Sequence, residues 1–200
     1  MIIIDMGSGN TCGNDWEYAR RMIDALSSVD TYTKNVVIKW QLFKEAGANV
    51  PLSRDIFKKA YWYAYMGGYR TTASVFDMES LSFLLGFEIP FVKIANNPKY
   101  YPLVNYIPQS MRVIKSVGKH EDWTPGCMVC VSDYPADAEL YELRFSVEQL
   151  QAGISDHTTD WYLYHKYQPA IYECHFCLPD SEGLDAGPFA RRPEQLREIL

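Results

Sequence analysis

The chain has 200 residues, a length typical of one domain and close to the lower limit for an eightfold barrel of strands and helices. A hydrophobic content of 48% excludes a disordered chain, and a net charge of −6 argues against a nucleic-acid-binding protein. No apolar run approaches the roughly 20 residues that cross a bilayer, so no membrane segment is expected. Five cysteines without a basic leader segment favour reduced thiols and a cytoplasmic protein.

Strand-like and helix-like segments alternate along the chain. The predicted strands are Ile2–Asp5, Val36–Gln41, Thr71–Val75, Phe91–Ala95, Arg112–Ser116, Cys127–Ser132, Ala152–Ser155 and Ala170–His175. Several of them are continuously apolar, as expected when helices cover one face of a strand and a barrel interior lies on the other.

Helical spacing occurs between the strands and again at the end of the chain. It covers Asp15–Leu26, Arg54–Tyr65 and Asp77–Leu85, whose first residue suits an N-cap, and Pro193 suits the first position of a closing helix. The helices after the fourth, fifth and sixth strands are expected to be short or irregular. Together these elements predict one compact α/β domain over residues 1–200, a (β/α)8 TIM barrel. The rival is an open doubly wound sheet, but no G-x-G-x-x-G follows a strand.

An aromatic stretch at residues 61–69, YWYAYMGGY, falls at the end of the second predicted helix. Large aromatic residues at helical spacing usually face a core, so we expect this stretch to pack on the barrel. The alternative is that it covers an interface between two copies of the chain.

Two histidines end adjacent predicted strands near the C-terminus. Residues two apart in a strand share a face, so Ser155 pairs with His157 and Glu173 pairs with His175. Adjacent barrel strands therefore place both imidazoles at one mouth, where they could bind Zn, Mn, Fe or Co. The alternative is that both rings are satisfied in contacts between helices and strands.

Lysines interrupt two apolar strands. Lys39 in VVIKWQLF and Lys93 in FVKIANN would be costly to bury without a partner, and an anionic phosphate or carboxylate ligand would offset that cost. The alternative is that each lysine extends from an edge strand into solvent. Lys115 is expected to point away from the barrel interior.

Two C-x-x-C pairs, Cys127 with Cys130 and Cys174 with Cys177, raise the alternative of a zinc ribbon. The pairs lie much further apart in sequence than such sites require, and residues three apart in a strand point to opposite faces. We therefore regard this alternative as disfavoured.

Taken together, these segments resemble the catalytic barrel of the N-acetylneuraminate (sialic acid) synthase family over nearly the whole chain. The most specific motif is GISDHT, followed by ECHF, FDMES, VKIA and the closing G-x-D; VVIKWQ and DYP add to the likeness. The resemblance implies a barrel without the C-terminal antifreeze-like domain of bacterial members, which supplies a sugar-binding arginine across the dimer. It also makes a homodimer one expectation.

The resemblance implies a reaction between phosphoenolpyruvate and an N-acetylmannosamine-like amino-sugar aldehyde, giving a nine-carbon acid and phosphate. Metal binding falls to His157 and His175, with Mn²⁺ first and Mg²⁺, Co²⁺ or Zn²⁺ as alternatives. The residues expected to act in catalysis are Asp5, Lys39, Glu173 and Asp185. The residues expected to bind substrate are Lys93, Ser74, Asn96, Ser116, Ser132, Tyr134 and Ser155.

Several positions depart from the family pattern. Asn96-Asn97-Pro98 stands where the family has Ser-Gly-Glu, and Asp5 stands where it has a longer glutamate. In the same way, Ser132 stands where the family has an asparagine. The departures leave two other readings open: a related synthase acting on another aldose, and a degenerate barrel that binds a sugar or phosphate without turnover.

Overall fold

Eight parallel strands close into a barrel in the order in which they occur in the chain. The computed structural model describes residues 1–31, 35–44 and 47–200. The strands are β1 (Ile2–Asp5), β2 (Val36–Leu42), β3 (Arg70–Val75), β4 (Val92–Ile94), β5 (Val113–Val117), β6 (Met128–Cys130), β7 (Ile154–Asp156) and β8 (Tyr172–His175). Pairing of β8 with β1 closes the barrel, with Asp5 opposite His175. The predicted (β/α)8 barrel is thus confirmed as the fold class.

Helices connect most of the strands on the outside of the barrel. They are α1 (Gly9–Cys12), α2 (Trp16–Ser27), α3 (Arg54–Met66), α4 (Met78–Leu84), α5 (Ala138–Arg144), α6 (Val147–Ala152), α7 (Tyr162–Tyr167) and α8 (Pro193–Leu196). After β4 and β5 the described connections contain 3₁₀ segments, Pro98–Tyr106 and His120–Asp122. None of the helices formed by the described residues has the length and apolar character that crossing a membrane requires.

The helix starts follow the local chemistry of the sequence. The carboxylate of Asp15 accepts a hydrogen bond from the backbone N–H of Tyr18 at 2.8 Å, and Asp77 accepts one from Ser80 at 2.7 Å. Each bond satisfies an N–H that the first turn of a helix leaves without a backbone partner. Pro193 occupies the first turn of α8, as predicted.

The strands β4, β6 and β7 are shorter than the sequence predicts or begin later. Strand β7 begins at Ile154 because Ala152 still belongs to α6, where Ser146 and Gln149 form a capping box. Strand β6 ends at Cys130, and Ser132 lies beyond the ladder at the mouth of the barrel. The polar Ser132 therefore belongs to the loop after β6 and not to the strand.

An apolar layer forms the floor of the barrel interior. Its buried members are Ile3, Val37, Phe91, Ile114, Met128 and Ile171. Two residues further along each strand, on the same face, comes a residue that can donate or accept a proton or a hydrogen bond. Those residues are Asp5, Lys39, Lys93, Ser116, Cys130 and Glu173. The alternation of the strands therefore stacks a polar layer directly on an apolar one.

The aromatic stretch at the end of α3 does not pack as a whole. Tyr61 is buried as expected, but Trp62 is 58% exposed, Tyr65 57% and Met66 82%. The helix buries Phe57, which shares a face with Tyr61 by helical spacing, whereas Trp62 falls on the opposite face and Tyr65 lies at the exposed edge near the end of the helix. Tyr69, beyond the end of the helix, is buried. The expectation of packing was therefore wrong for most of this stretch.

Candidate active site

A cavity of about 620 Å³ opens at the carboxyl ends of the strands. Active sites of (β/α)8 enzymes lie at this end of the barrel. All of the site residues predicted from the sequence line the cavity: Asp5, Lys39, Ser74, Lys93, Asn96, Ser116, Ser132, Tyr134, Ser155, His157, Glu173, His175 and Asp185. The structure therefore brings the candidate catalytic, substrate-binding and metal-binding residues into one place.

Lys39 is buried at the centre of the polar layer. Its Nζ lies 2.6 Å from Asp5 Oδ2 and donates to Ser74 Oγ at 3.0 Å. Glu173 Oε1 is 3.8 Å from the same Nζ. Two carboxylates and a hydroxyl thus surround this ammonium, which explains how the apolar strand β2 can hold a charge.

Lys93 is the second buried ammonium, on β4. Its Nζ donates to Ser116 Oγ at 2.6 Å and lies 3.5 Å from Glu173 Oε1. Ser155 Oγ donates to the same carboxylate oxygen at 2.9 Å, while Glu173 Oε2 has no hydrogen-bond partner among the described residues. Lys93 therefore has one hydroxyl and a shared carboxylate for partners, fewer than Lys39 has.

The electrostatic environment shifts the pKa values of the two lysines in opposite directions. Burial disfavours both ammonium ions, but the carboxylates of Asp5 and Glu173 outweigh it and raise the pKa of Lys39. The pKa of Lys93 is lowered, because burial and the charge of Lys39 outweigh the attraction of Glu173. Burial likewise opposes the ionised form of Glu173, yet the two lysines lower its pKa. Lys93 is the cation that gains most from an added anion.

His157 follows β7 with its ring held in one orientation. Its Nδ1 lies 2.6 Å from the carbonyl oxygen of Val131, and its backbone N–H donates to Tyr141 Oη at 3.2 Å. A carbonyl can only accept, so Nδ1 carries the hydrogen and the Nε2 of the neutral ring has a free lone pair. Such a second hydrogen bond commonly orients a histidine that binds a metal.

His175 ends β8 beside two carboxylates. Its Nδ1 is 3.3 Å from Asp185 Oδ1 and 3.7 Å from Asp5 Oδ2, without a well-directed hydrogen bond among the described residues. Burial disfavours the charged ring, but Asp5 and Asp185 outweigh it and raise the pKa of His175. The ring centroids of His175 and His157 are 5.3 Å apart.

Aromatic rings form the wall beside the histidines. The ring centroid of Tyr134 is 4.3 Å from that of His157 and 5.1 Å from that of Phe189. Phe189 also lies 5.0 Å from the ring of His175. A ligand at the histidines would therefore meet an apolar aromatic surface on one side and the charged layer on the other.

Asn96 is engaged by other side chains at the rim. Its Nδ2 donates to Ser132 Oγ at 2.9 Å, and its Oδ1 accepts from Tyr101 Oη at 3.1 Å. A Cβ at position 118 would lie 2.5 Å from Asn96 Nδ2, so Gly118 leaves the space that the amide occupies. Asn96 and Ser132 both line the cavity, and a ligand that used either of them would have to exchange these bonds.

Gln41 belongs to the site and was not predicted. Its Nε2 donates to Asp5 Oδ2 at 3.1 Å and to Asp185 Oδ1 at 3.0 Å, bridging two predicted residues. Its position two residues after Lys39 on β2 was a usable signal, because the two side chains share a face. Phe189 carried no comparable signal, since it lies in a loop.

The cysteines do not converge on one point. Cys130 lines the cavity, whereas Cys174 lies on β8 between Glu173 and His175 and so faces the helices. All five cysteines are free and buried. In residues 1–31, 35–44 and 47–200, no group of three or more His, Cys, Asp and Glu side chains is arranged to hold a metal ion.

The fold and the cavity define a (β/α)8 barrel whose mouth combines buried lysines, hydroxyl groups and two imidazoles. The chain matches no protein-family model and no curated protein. Solved structures do match it. One is an N-acetylneuraminic acid (sialic acid) synthetase from Leptospira borgpetersenii serovar Hardjo-bovis in complex with citrate, with TM-score 0.70, 18% identity, and coverage of 98% of this chain and 80% of that one.

Two further solved structures are similar to the chain. The spore coat polysaccharide biosynthesis protein from Bacillus subtilis has TM-score 0.73 and 20% identity, covering 99% of this chain and 65% of that one. A truncated 3-deoxy-D-arabino-heptulosonate 7-phosphate synthase from Thermotoga maritima has TM-score 0.64 and 12% identity, covering 99% and 83%. The resemblance predicted from the sequence is confirmed as a likeness of fold that extends over nearly the whole chain.

The buried ion pair makes a testable contribution to stability. We expect Asp5→Asn to lower the free energy of unfolding by about 3–5 kcal/mol, because it leaves the Lys39 ammonium with one distant carboxylate. Urea unfolding followed by tryptophan fluorescence measures the change. In the double variant Asp5→Asn/Lys39→Met, part of the lost stability should return.

An exposed ion pair provides the control. Asp55 lies 3.4 Å from Lys58, and both side chains are largely exposed. Asp55→Asn should leave the unfolding midpoint nearly unchanged, since solvent screens such pairs. Equal effects of the Asp5 and Asp55 substitutions would show that the interior pair does not hold the charged layer together.

Proposed function

We propose that the protein is a metal-dependent synthase that joins phosphoenolpyruvate to an aldehyde sugar and releases phosphate. One observation carries the proposal: two buried lysines with their hydroxyl partners lie beside two imidazoles at one barrel mouth. The fold likeness to a sialic acid synthetase and to a 3-deoxy-D-arabino-heptulosonate 7-phosphate synthase supports this reaction class. An N-acetylmannosamine-like amino sugar is the first candidate for the second substrate.

The charged layer would bind phosphoenolpyruvate. Of the two buried lysines, Lys93 has fewer partners, and Ser74, Ser116 and Ser155 supply hydroxyl groups from β3, β5 and β7. Ammonium and hydroxyl donors suit both a carboxylate and a phosphate. The carboxylates of Asp5 and Glu173 already offset much of the lysine charge, so further positive charge is required to hold a ligand with several negative charges.

The two histidines would hold a divalent ion, with Mn²⁺ as the first candidate and Mg²⁺, Co²⁺ or Zn²⁺ as alternatives. Three buried atoms nearby have no hydrogen-bond partner among the described residues: Glu173 Oε2, His175 Nδ1 and Asp185 Oδ2. These atoms and the lone pair of His157 Nε2 are nitrogen and oxygen donors of the kind that such an ion accepts, although no three His, Cys, Asp or Glu side chains of the described residues already converge on one point. When bound, the ion would supply Lewis-acid polarisation of a carbonyl group.

The remaining residues would orient the two substrates and the water molecule that takes part in the reaction. C3 of phosphoenolpyruvate attacks the aldehyde carbon, a water molecule adds at C2, and the C2–O bond to phosphate breaks. One proton of that water ends on the aldehyde oxygen, which becomes a hydroxyl group, and the other ends on the released phosphate. Glu173, kept ionised by the lysines, would orient that water or take up its proton. Asp185 and Gln41 would hold hydroxyl groups of the sugar, and the ring of Tyr134 would cover the reacting carbons.

A second candidate is a barrel that binds a sugar or phosphate without turnover. Asn96 favours it, because its amide is already bonded to Ser132 and Tyr101 at the rim. If these residues keep their mutual bonds when a ligand enters, the phosphate group would have fewer donors.

Release of phosphate distinguishes the candidates. We expect inorganic phosphate to appear when phosphoenolpyruvate, N-acetylmannosamine or another aldose, and Mn²⁺ are all present, and to stay at background without the metal.

Lys93→Ala should weaken phosphoenolpyruvate binding about tenfold to a hundredfold, because it removes a charged donor, while Mn²⁺ binding changes little.

Lys115 provides a matched control on the next strand. Its Nζ lies 4.6 Å from the ring centroid of Tyr101, outside the cavity, so Lys115→Ala should leave binding unchanged. Background phosphate release with every aldose tried, in a protein that still binds phosphoenolpyruvate and Mn²⁺, would contradict the synthase and support the second candidate. Equal losses of metal and phosphoenolpyruvate binding in Lys93→Ala would contradict the assigned role of this lysine.

Metal binding should depend on pH through His175. Because its pKa is raised, the ring keeps a competing proton to a higher pH than an ordinary histidine, and a bound metal must displace it. We expect Co²⁺ to bind more weakly near pH 6 than near pH 8 in a spectroscopic titration. In His175→Ala the remaining affinity should lose most of this dependence; an unchanged pH profile would contradict the role of His175.

A further inference from the structure

Arg191 ties together the two segments that carry the histidines, from the outer side of the barrel. We propose that Arg191 is a positioning residue that fixes the placement of His157 relative to His175. The proposal rests on the proposed function in one respect only: it assumes that these two imidazoles are functional groups of the site. Arg191 is 1% exposed and does not line the cavity, so it would act through other residues and not on a substrate.

The backbone of Arg191 holds the end of β8. Its N–H donates to the carbonyl oxygen of His175 at 2.7 Å, and its own carbonyl accepts from Cys177 at 3.1 Å. Phe176 and Arg191 form a parallel bridge outside the named strands. The segment that contains Arg191 therefore adds to the sheet directly after His175, where β8 ends.

The side chain of Arg191 holds the segment after β7. Its Nη1 donates to the carbonyl oxygen of Thr158 at 2.8 Å, and its Nη2 donates to the carbonyl oxygen of Asp160. The same Nη2 lies 3.4 Å from Asp156 Oδ2. These contacts flank His157 on both sides in the sequence, so one guanidinium sets the path of the backbone that carries the ring.

Asp156 completes the link between the two strands. Tyr172 of β8 donates its hydroxyl hydrogen to Asp156 Oδ2, and the backbone N–H of Thr158 donates to Asp156 Oδ1 at 2.7 Å. Asp156 and Tyr172 face the helices, because their neighbours Ser155 and Glu173 face the cavity. A network outside the barrel thus connects β7 to β8 just below both histidines.

The chemical groups of this network indicate that Arg191 orients the backbone around the histidines and does not only stabilise the fold. Well-packed apolar residues often stabilise a fold as well as a buried ion pair does. A guanidinium, by contrast, donates in fixed directions from a planar group, which a lysine cannot reproduce. The guanidinium carbon also lies 4.5 Å from the ring centroid of Trp161, which restricts its plane further.

The test compares Arg191→Lys with the neighbouring Arg192→Lys. Arg192 donates to the carbonyl oxygen of Leu178 and contacts Cys177 Sγ at 2.9 Å, and it touches neither histidine. Long-range ¹H–¹⁵N spectra of the metal-free protein report the imidazole nitrogens of all four histidines. Thermal unfolding establishes that each variant is folded at the temperature of the spectra.

We expect Arg191→Lys to move the resonances of both His157 and His175, while those of His120 and His165 stay in place. Arg192→Lys should move none of them. Affinity for Co²⁺ should fall about tenfold to a hundredfold in Arg191→Lys only, as is usual when a residue that orients metal ligands is lost. A folded Arg191→Lys protein with unchanged resonances and affinity would overturn the proposal, as would equal movement of all four histidines.

If Arg191→Lys does not fold, Tyr172→Phe provides a second test of the proposal. It removes one hydroxyl donor to Asp156 without changing a charge, and its signature is movement of the His157 resonances. No movement at His157 would then overturn the proposal. The spectra require neither metal nor turnover, so a protein without synthase activity could still pass this test, and an active synthase could still fail it.

Discussion

A layer of paired charges inside the barrel is the feature on which the site depends. Lys39 and Lys93 share Glu173, and Lys39 also contacts Asp5. An ammonium ion could not remain in this interior without such partners. The apolar floor beneath excludes water from below, so the charges are accessible from the mouth alone. The proposed anionic substrate would therefore enter from the mouth, and Lys93 is the lysine that has fewer partners there.

The parallel arrangement of the strands determines which side chains lie close together in the barrel interior. Six of the eight strands contribute an apolar floor residue and, two positions later, a polar residue on the same face, so these polar groups reach one level together. The histidines come at the next level, at the ends of β7 and β8, where the chain turns outward. The proposed metal-binding residues and the proposed anion-binding residues therefore lie at neighbouring levels of the same cavity.

Much of this could be predicted from the sequence, because strand alternation is a local property. Eight strand-like runs that alternate with helical segments predict the barrel, and the two lysines and two histidines predict its polar mouth. Most of the other site residues were predicted only by the family resemblance. Gln41 was missed although the same alternation places it beside Lys39. Arg191 and Phe189 could not be found this way, since they lie in a returning loop whose position depends on tertiary contacts. The exposed face of α3 shows the opposite error: the aromatic residues predicted a core, whereas helical spacing puts Trp62 on the side away from the core and Tyr65 is 57% exposed.

Anomalous X-ray scattering from crystals soaked with Mn²⁺ and phosphoenolpyruvate tests the central claim most directly. The account predicts one manganese peak within bonding distance of His157 and His175, with phosphoenolpyruvate density between that peak and Lys93. A peak at the cysteines, or phosphoenolpyruvate bound away from both lysines, would contradict it. So would a soaked crystal with the charged layer intact and no manganese at the histidines.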